Sequence, residues 1–337
     1  MLSNRIAVEV KLVAHPVGRA GMILLGLTRR IIPGSFLQEM VETGTMESRN
    51  RAIPDDSTAR YIMHELLHPT PYADVNAVLH EFLIRIQAIL GEHLRGMYLS
   101  GSLALGDFDP RSSDLDLVVV TDDALSHDLF VALQEMHARF DTSGSPWAAK
   151  VDAVYIPQDA LRHSAPTLEH YPQIEWPTAL FLGPLESGWI FQCSLLREHG
   201  IVIAGPDPRA LIDPIDPDEM RRAVGTLPLM WLEQAHHDPS WLVWLRQRRE
   251  QAFVVLTLCR LLYTLDCGAV TSKPAAARWA EKVLGPRWSG LIERSRAGQV
   301  EGGDTPEGDV NDTVALVQHT VDRFRQWSTS PADPHQS

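Results

Sequence analysis

Two kinds of hydrophobic pattern follow one another along this chain without mixing, and their order limits the fold more than any other feature. Up to about residue 216, β-branched runs alternate with helical periodicity. Asp114-Leu115-Asp116-Leu117-Val118-Val119-Val120 and Val151-Asp152-Ala153-Val154-Tyr155-Ile156 read as strands, as do the shorter Met97-Tyr98-Leu99 and Ile201-Val202-Ile203. Between them, Val75, Val78, Leu79, Phe82, Ile86, Ile89 and Leu90 recur at the spacing of one helix face within 72–94, and segments 125–140 and 189–199 carry a similar pattern. After Pro214-Ile215-Asp216-Pro217 the strand signal stops. Helices are expected over 217–237, 240–266, 273–284, 286–297 and 309–327, separated by Gly and Pro breakers. Strands with helices first, then helices alone, predict an α+β fold: a mixed β-sheet flanked by helices at 70–216, then an all-α helical bundle at 217–328. Residues 1–69 are expected to be a poorly defined extension and 329–337 a disordered tail, and the Pro-rich stretch 157–187 carries no clear pattern.

Charge narrows the partners. Lys and Arg number 30 against 43 Asp and Glu, a net charge of −13, which argues against nucleic-acid binding because that affinity comes mostly from neutralising phosphates. The same excess suits a cationic small molecule. No apolar run approaches the roughly 20 residues of a membrane helix. Cys193, Cys259 and Cys267 form no CxxC pair and read as reduced thiols of a cytoplasmic protein. Met46 and Met63 offer later start points within the extension.

The chemistry concentrates in three short segments. Gly101-Ser102 follows a strand, and a Gly-Ser turn there leaves backbone N–H groups and a hydroxyl free to hold phosphate oxygens. Asp114 and Asp116 lie two apart and point the same way. Side-by-side carboxylates repel each other unless a cation sits between them, and such hard oxygen ligands suit Mg²⁺ on a nucleoside triphosphate. Asp152, flanked by apolar residues on another strand, is costly to bury unless it faces a site.

This arrangement, Gly101-Ser102, Asp114-x-Asp116 and Asp152, resembles the signature of the nucleotidyltransferase superfamily, which includes DNA polymerase β and the aminoglycoside nucleotidyltransferases. The fragments Arg197-Glu198-His199-Gly200, Gly205-Pro206, Val255-Leu256-Thr257-Leu258-Cys259-Arg260 and Ser272-Lys273-Pro274-Ala275-Ala276-Ala277-Arg278-Trp279-Ala280 are similar to the aminoglycoside 3″-adenylyltransferases, which modify streptomycin and spectinomycin. The likeness runs from about Pro71 to Gly298. It implies Mg²⁺-dependent transfer of the ATP adenylyl group to a hydroxyl of a small acceptor, with two Mg²⁺ ions. Carried over, Asp114 and Asp116 are metal ligands, Ser102 and Ser113 touch the triphosphate, and Asp152 accepts the hydroxyl proton or ligates metal. That family has Glu where this chain has the shorter Asp152. The family's acceptor-contacting acid falls on Glu250, while its acceptor-contacting tryptophan falls on Gln247, and Arg246, Arg248 and Arg249 crowd the same stretch. Arg260, in an otherwise apolar helical run, and Lys273, at a helix start, are sensible ligands for the outer phosphates.

Other readings stay open at this point: a nucleotidyltransferase for another metabolite or for a protein, or a nucleotide-binding module without turnover, which convergence of Asp114, Asp116 and Asp152 would argue against. His64-Glu65-Leu66-Leu67-His68 matches the zinc-protease pattern, but Pro69 stops the helix that pattern needs. No G-K-[ST] and no strand-linked G-x-G-x-x-G occurs.

Overall fold

The computed structural model describes residues 68–329 apart from 142–143, 165–169, 176–177, 186–187 and 299–302. The extension up to residue 67, with both later start points and the zinc-like pattern up to Leu67, lies outside the described residues, as does the tail from 330.

Helix α1 (Ala73–Leu90) leads into β1 (Leu94–Leu99), the single turn α2 (Gly101–Ala104) and β2 (Leu115–Thr121). Then come α3 (His127–Asp141), β3 (Val151–Pro157), α4 (Gln158–Arg162), β4 (Tyr171–Ile174), β5 (Phe181–Gly183), α5 (Trp189–His199), β6 (Ile201–Ala204) and α6 (Pro208–Leu211). The six strands form one sheet in the order β5-β4-β3-β2-β1-β6. Only β2 and β3 are parallel, so the sheet is mixed. Leu115, Leu117, Val119, Ala153 and Tyr155 face the core under α1 and α3, while Val118, Val120, Val154 and Ile156 face a second core with α4 and α5. Burial on both faces explains why β2 and β3 read as nearly unbroken apolar runs. Asp116 and Asp152 interrupt them at one end of the sheet.

From Pro217 on, the described elements other than the Gln247–Asp304 bridge are helices: α7 (Pro217–Ala223), α8 (Thr226–His237), α9 (Pro239–Leu245), α10 (Arg248–Cys267), α11 (Lys273–Val283), α12 (Pro286–Gly298) and α13 (Glu307–Thr329). Helix α10 is the axis, packed against α11, α12 and α13 through Val254, Val255, Leu258 and Leu262. A separate cluster joins Phe191 of α5 to Met220, Val224, Leu261 and Leu265. It locks α10 onto the sheet's helices and fixes which way Arg260 points.

The structure corrects two expected helices. The one predicted over 217–237 breaks at Val224-Gly225, where Gly225 lies against the Phe324 ring and has no room for a side chain. The one over 240–266 breaks at Arg246-Gln247. There Gln247 is extended and bridges to Asp304, and the Thr305 N–H donates to the Arg246 carbonyl at 2.6 Å. Both breaks come from distant packing partners, which override local propensity. Asp114 also falls one residue before β2 and not within it. The unassigned 157–187 stretch holds α4, β4 and β5, and α13 continues through Thr329.

Inside the first core His137 is 4% exposed, wedged against Phe82, with its Nε2 2.7 Å from the Tyr155 hydroxyl. Burial pushes its pKa down to about 4. The unfolded chain therefore binds a proton there first as pH falls, so stability present above the ordinary value near 6.5 is lost as pH drops toward 4. That loss is on the order of 3 kcal/mol across the window. Urea denaturation at pH 7 and pH 5 is expected to show it, and His137→Gln, which keeps a partner for Tyr155, is expected to flatten it. An unchanged pH slope in the variant assigns the loss to other groups.

Candidate active site

The site is built where β1 turns into α2. Gly101 has φ +60, and a side chain there would overlap the Asp116 carboxylate. Glycine thus lets Asp116 sit against the backbone of the turn, and the Ser100 N–H donates to the Asp116 carbonyl at 2.9 Å. The turn is too short to satisfy its own first N–H groups, which remain donors at the end of β1. The Ser100 hydroxyl, buried just before Gly101, has no hydrogen-bond partner among the described residues. Ser113 is already engaged, its oxygen accepting the Asp109 N–H at 3.0 Å to close the loop ahead of Asp114.

Asp116 and Asp152 are register partners across the parallel β2–β3 ladder, so their side chains leave the same face of adjacent strands, which lie about 4.8 Å apart. Asp152 is 6% exposed. Asp116 is half-buried, yet protein crowds its carboxyl. That burial, with the negative charges of Asp152 and Asp114, raises its pKa well above the usual carboxylate value, against the pull of Lys273 and Arg260. Three acids and two cations therefore share one electrostatic neighbourhood. Among the described residues no three His, Cys, Asp or Glu side chains already form a metal cage. Mg²⁺ is usually held by one or two carboxylates together with substrate phosphates. The repulsion at Asp116 and the unpartnered Ser100 hydroxyl fit a cation with a phosphate ligand.

The two cations come from the helical region. Arg260 is 8% exposed on α10, and its Nε donates to the Thr271 carbonyl at 3.0 Å. Burial lowers its pKa to about 10, while Asp116 favours its charged form, so it stays a cation at neutral pH. Lys273 opens α11, with Nζ 5.3 Å from the centroid of the Phe253 ring. Glu250, Phe253, Thr257 and Arg260 recur at helical spacing and form one stripe of α10. The buried Glu250 lies at the far end of that stripe from Arg260, in the first helical turn.

Residues 84–150 match the family model described as a nucleotidyltransferase domain, and residues 210–323 match the aminoglycoside adenylyltransferase C-terminal domain. Asp114 and Asp116 thus come from one matched segment and Arg260 and Lys273 from the other, while Asp152 lies two residues beyond the first. The chain carries a nucleotidyltransferase domain followed by an aminoglycoside adenylyltransferase C-terminal domain. It is 26% identical over 235 residues to an aminoglycoside (3'') (9) adenylyltransferase of Shigella flexneri, covering 66% of this chain and 85% of the relative. A spectinomycin 9-adenylyltransferase of Staphylococcus aureus is 25% identical over 250 residues, covering 69% and 89%. The crystal structure of spectinomycin adenyltransferase AAD(9) from Enterococcus faecialis, with ATP and spectinomycin, shares the fold. Its TM-score is 0.56 at 17% identity, over 74% of this chain and 98% of that one.

Two features of this nucleotidyltransferase escaped the sequence reading. Extending the antiparallel register of Ala153 with Ile174 by one residue brings Glu175 to the position beside Asp152, on the same face. Burial raises the Glu175 pKa. It lies in the Pro-rich stretch without periodicity, so no pattern could announce it. Ser272 caps α11 by accepting the Ala275 N–H at 3.2 Å, and Ser-Lys-Pro was a readable start signal for it. Of the three cysteines, Cys193 and Cys259 are buried, Cys267 is exposed and none is bonded to another. Among the described residues no helix is long and apolar enough to cross a membrane.

Proposed function

We propose that this enzyme transfers the adenylyl group of ATP to a hydroxyl of an aminoglycoside, with streptomycin and spectinomycin as the first acceptors to test. The observation that carries this reading is the confrontation of Asp114, Asp116 and Asp152 with Arg260 and Lys273 across the join between the sheet and the helical region. A site for in-line phosphoryl chemistry needs both halves: acids for metal and proton on one side, fixed cations for the departing pyrophosphate on the other.

Asp114 and Asp116, with Asp152 completing the set, would hold Mg²⁺, two ions in the fullest form. Bound there, Mg²⁺ neutralises phosphate charge and polarises the reacting oxygens. The Gly101-Ser102 turn offers N–H groups and the Ser102 hydroxyl to phosphate oxygens, with Ser113 at its border. Asp152 accepts the proton of the attacking hydroxyl while the bond from the α-phosphorus to the bridging oxygen breaks. Arg260 and Lys273 take the charge that develops on pyrophosphate. Glu250, further along the same stripe of α10, is placed for an ammonium group of the acceptor. The names of the curated relatives supply the acceptor class, and the net negative charge agrees with it.

Pyrophosphate release with ATP, Mg²⁺ and each drug tests the reading. Turnover is expected with at least one of the two, and Glu250→Ala is expected to cost about tenfold or more in kcat/KM for that acceptor with little change for ATP. No release with either drug, alongside intact ATP binding, moves the acceptor to another hydroxylated metabolite or a protein. Full Glu250→Ala activity removes that residue from the acceptor pocket.

A further inference from the structure

One contact ties the phosphate-gripping turn directly to the helix that carries Lys273. The Asp107 N–H donates to the Ser102 carbonyl at 2.9 Å, so Asp107 is fixed to the Gly-Ser turn by its backbone. Its carboxylate accepts a hydrogen bond from the Ser272 hydroxyl, far away in sequence. Ser272 is 5% exposed, and the same hydroxyl oxygen accepts the Ala275 N–H as the α11 cap. A hydroxyl has a single proton, and here it goes to Asp107 while a lone pair serves the cap. Next to Ser272 on one side is Lys273. On the other side is Thr271, whose carbonyl holds Arg260.

We propose that Asp107 is a positioning residue, clasping the N-terminus of α11 to the Gly101-Ser102 turn so that Lys273 and Arg260 meet the outer phosphates of a nucleotide held by that turn. The inference rests on the ATP reading above and adds a residue with no contact to the reacting atoms. Both cations depend on the same three-residue segment, Thr271-Ser272-Lys273, which the clasp anchors to the acid side of the site. Without it α11 keeps its cap and its packing through Ala276, Ala277 and Ala280, but its N-terminus loses its fixed distance from the turn. The loss would be felt by a triphosphate and not by a nucleoside monophosphate, which reaches no outer-phosphate ligand.

The test is calorimetric titration of the full chain with ATP and with AMP in the presence of Mg²⁺. Asp107→Ala is expected to weaken ATP about tenfold and AMP less than twofold. Asp107→Asn offers an amide oxygen to the same hydroxyl and is expected to stay within about threefold of wild type for both. Ser272→Gly removes the hydroxyl at a position where glycine caps almost as well, and is expected to match Asp107→Ala. The double variant is expected to be no weaker than either single one, because both changes break one contact. Unchanged ATP affinity in Asp107→Ala overturns the proposal, even if the melting temperature falls, since that would be a structural contact only. So do equal losses for ATP and AMP, an Asp107→Asn as weak as Asp107→Ala, or additive losses in the double variant. A wild-type protein that binds no ATP fails the functional reading itself, a result separate from any of these.

Discussion

Asp116→Asn is expected to abolish adenylyl transfer and at the same time raise the melting temperature of the ligand-free protein. The activity loss is expected to be about 1,000-fold or more, on the order of 4 kcal/mol of transition-state stabilisation, because the substitution removes a charge proposed to bind metal and leaves the side-chain volume almost unchanged. The stability gain follows from the raised pKa of Asp116. Its causes are burial first, then Asp152 and Asp114, and they outweigh Lys273 and Arg260. A carboxyl whose folded pKa lies above its unfolded value favours the fold while protonated. That contribution is complete below the ordinary carboxylate range and is lost as pH rises through the folded value. Above the ordinary carboxylate range the wild type therefore gives up stability, because its surroundings resist the ionised form, and asparagine does not. Thermal melts across a pH series are expected to show the variant ahead at pH 7, with the two proteins converging as pH falls below about 4. A variant that melts below the wild type at pH 7 would mean that Asp116 is held by its cations more than it is repelled by its neighbours. Function explains why so unfavourable a cluster exists, since sites often give up stability for chemistry.

What the sequence could tell about this molecule divides along physical lines. Strands β2 and β3 were legible because they are buried on both faces, so their composition alone marks them, and the two acids that interrupt them stood out for the same reason. Arg260 was legible as a charge within an apolar helical run. The breaks at Gly225 and Gln247 were not, because Phe324 and Asp304, the residues that cause them, lie far along the chain. Asp107 was invisible for a similar reason: nothing near it in sequence resembles a partner, and Ser272 arrives only once α10 has carried the chain back to the sheet. Glu175 needed the β3–β4 register, which no periodicity in a Pro-rich stretch could supply. Residues fixed by composition and burial can be read from the chain, whereas residues fixed by a long-range partner need the fold.

The largest stability effect in the site is expected at Arg260, and its size should depend on Asp116. Arg260→Met keeps most of the buried stem and deletes the charge, leaving Asp116 with Lys273 as its main positive neighbour. Breaking a buried ion pair from one side typically costs about 3–5 kcal/mol, since the remaining charge loses its compensation. The hydrogen bond from Nε to the Thr271 carbonyl is lost as well. That second loss is the same whatever occupies position 116, so a double-mutant cycle cancels it. In the Asp116→Asn background the carboxylate that acts on Arg260 is gone, and Arg260→Met is expected to cost about 1–3 kcal/mol less than it does alone. The pH dependence should agree: alone, Arg260→Met is expected to be more harmful at higher pH and milder as pH falls through the raised range in which Asp116 takes up a proton. Denaturant titrations of the wild type, both single variants and the double variant supply the four corners. Costs that add within about 0.5 kcal/mol would show that Arg260 and Asp116 do not act on each other across the site. The reading of Arg260 as the cation placed opposite the acids would then lose its physical basis, whatever the variant did to turnover.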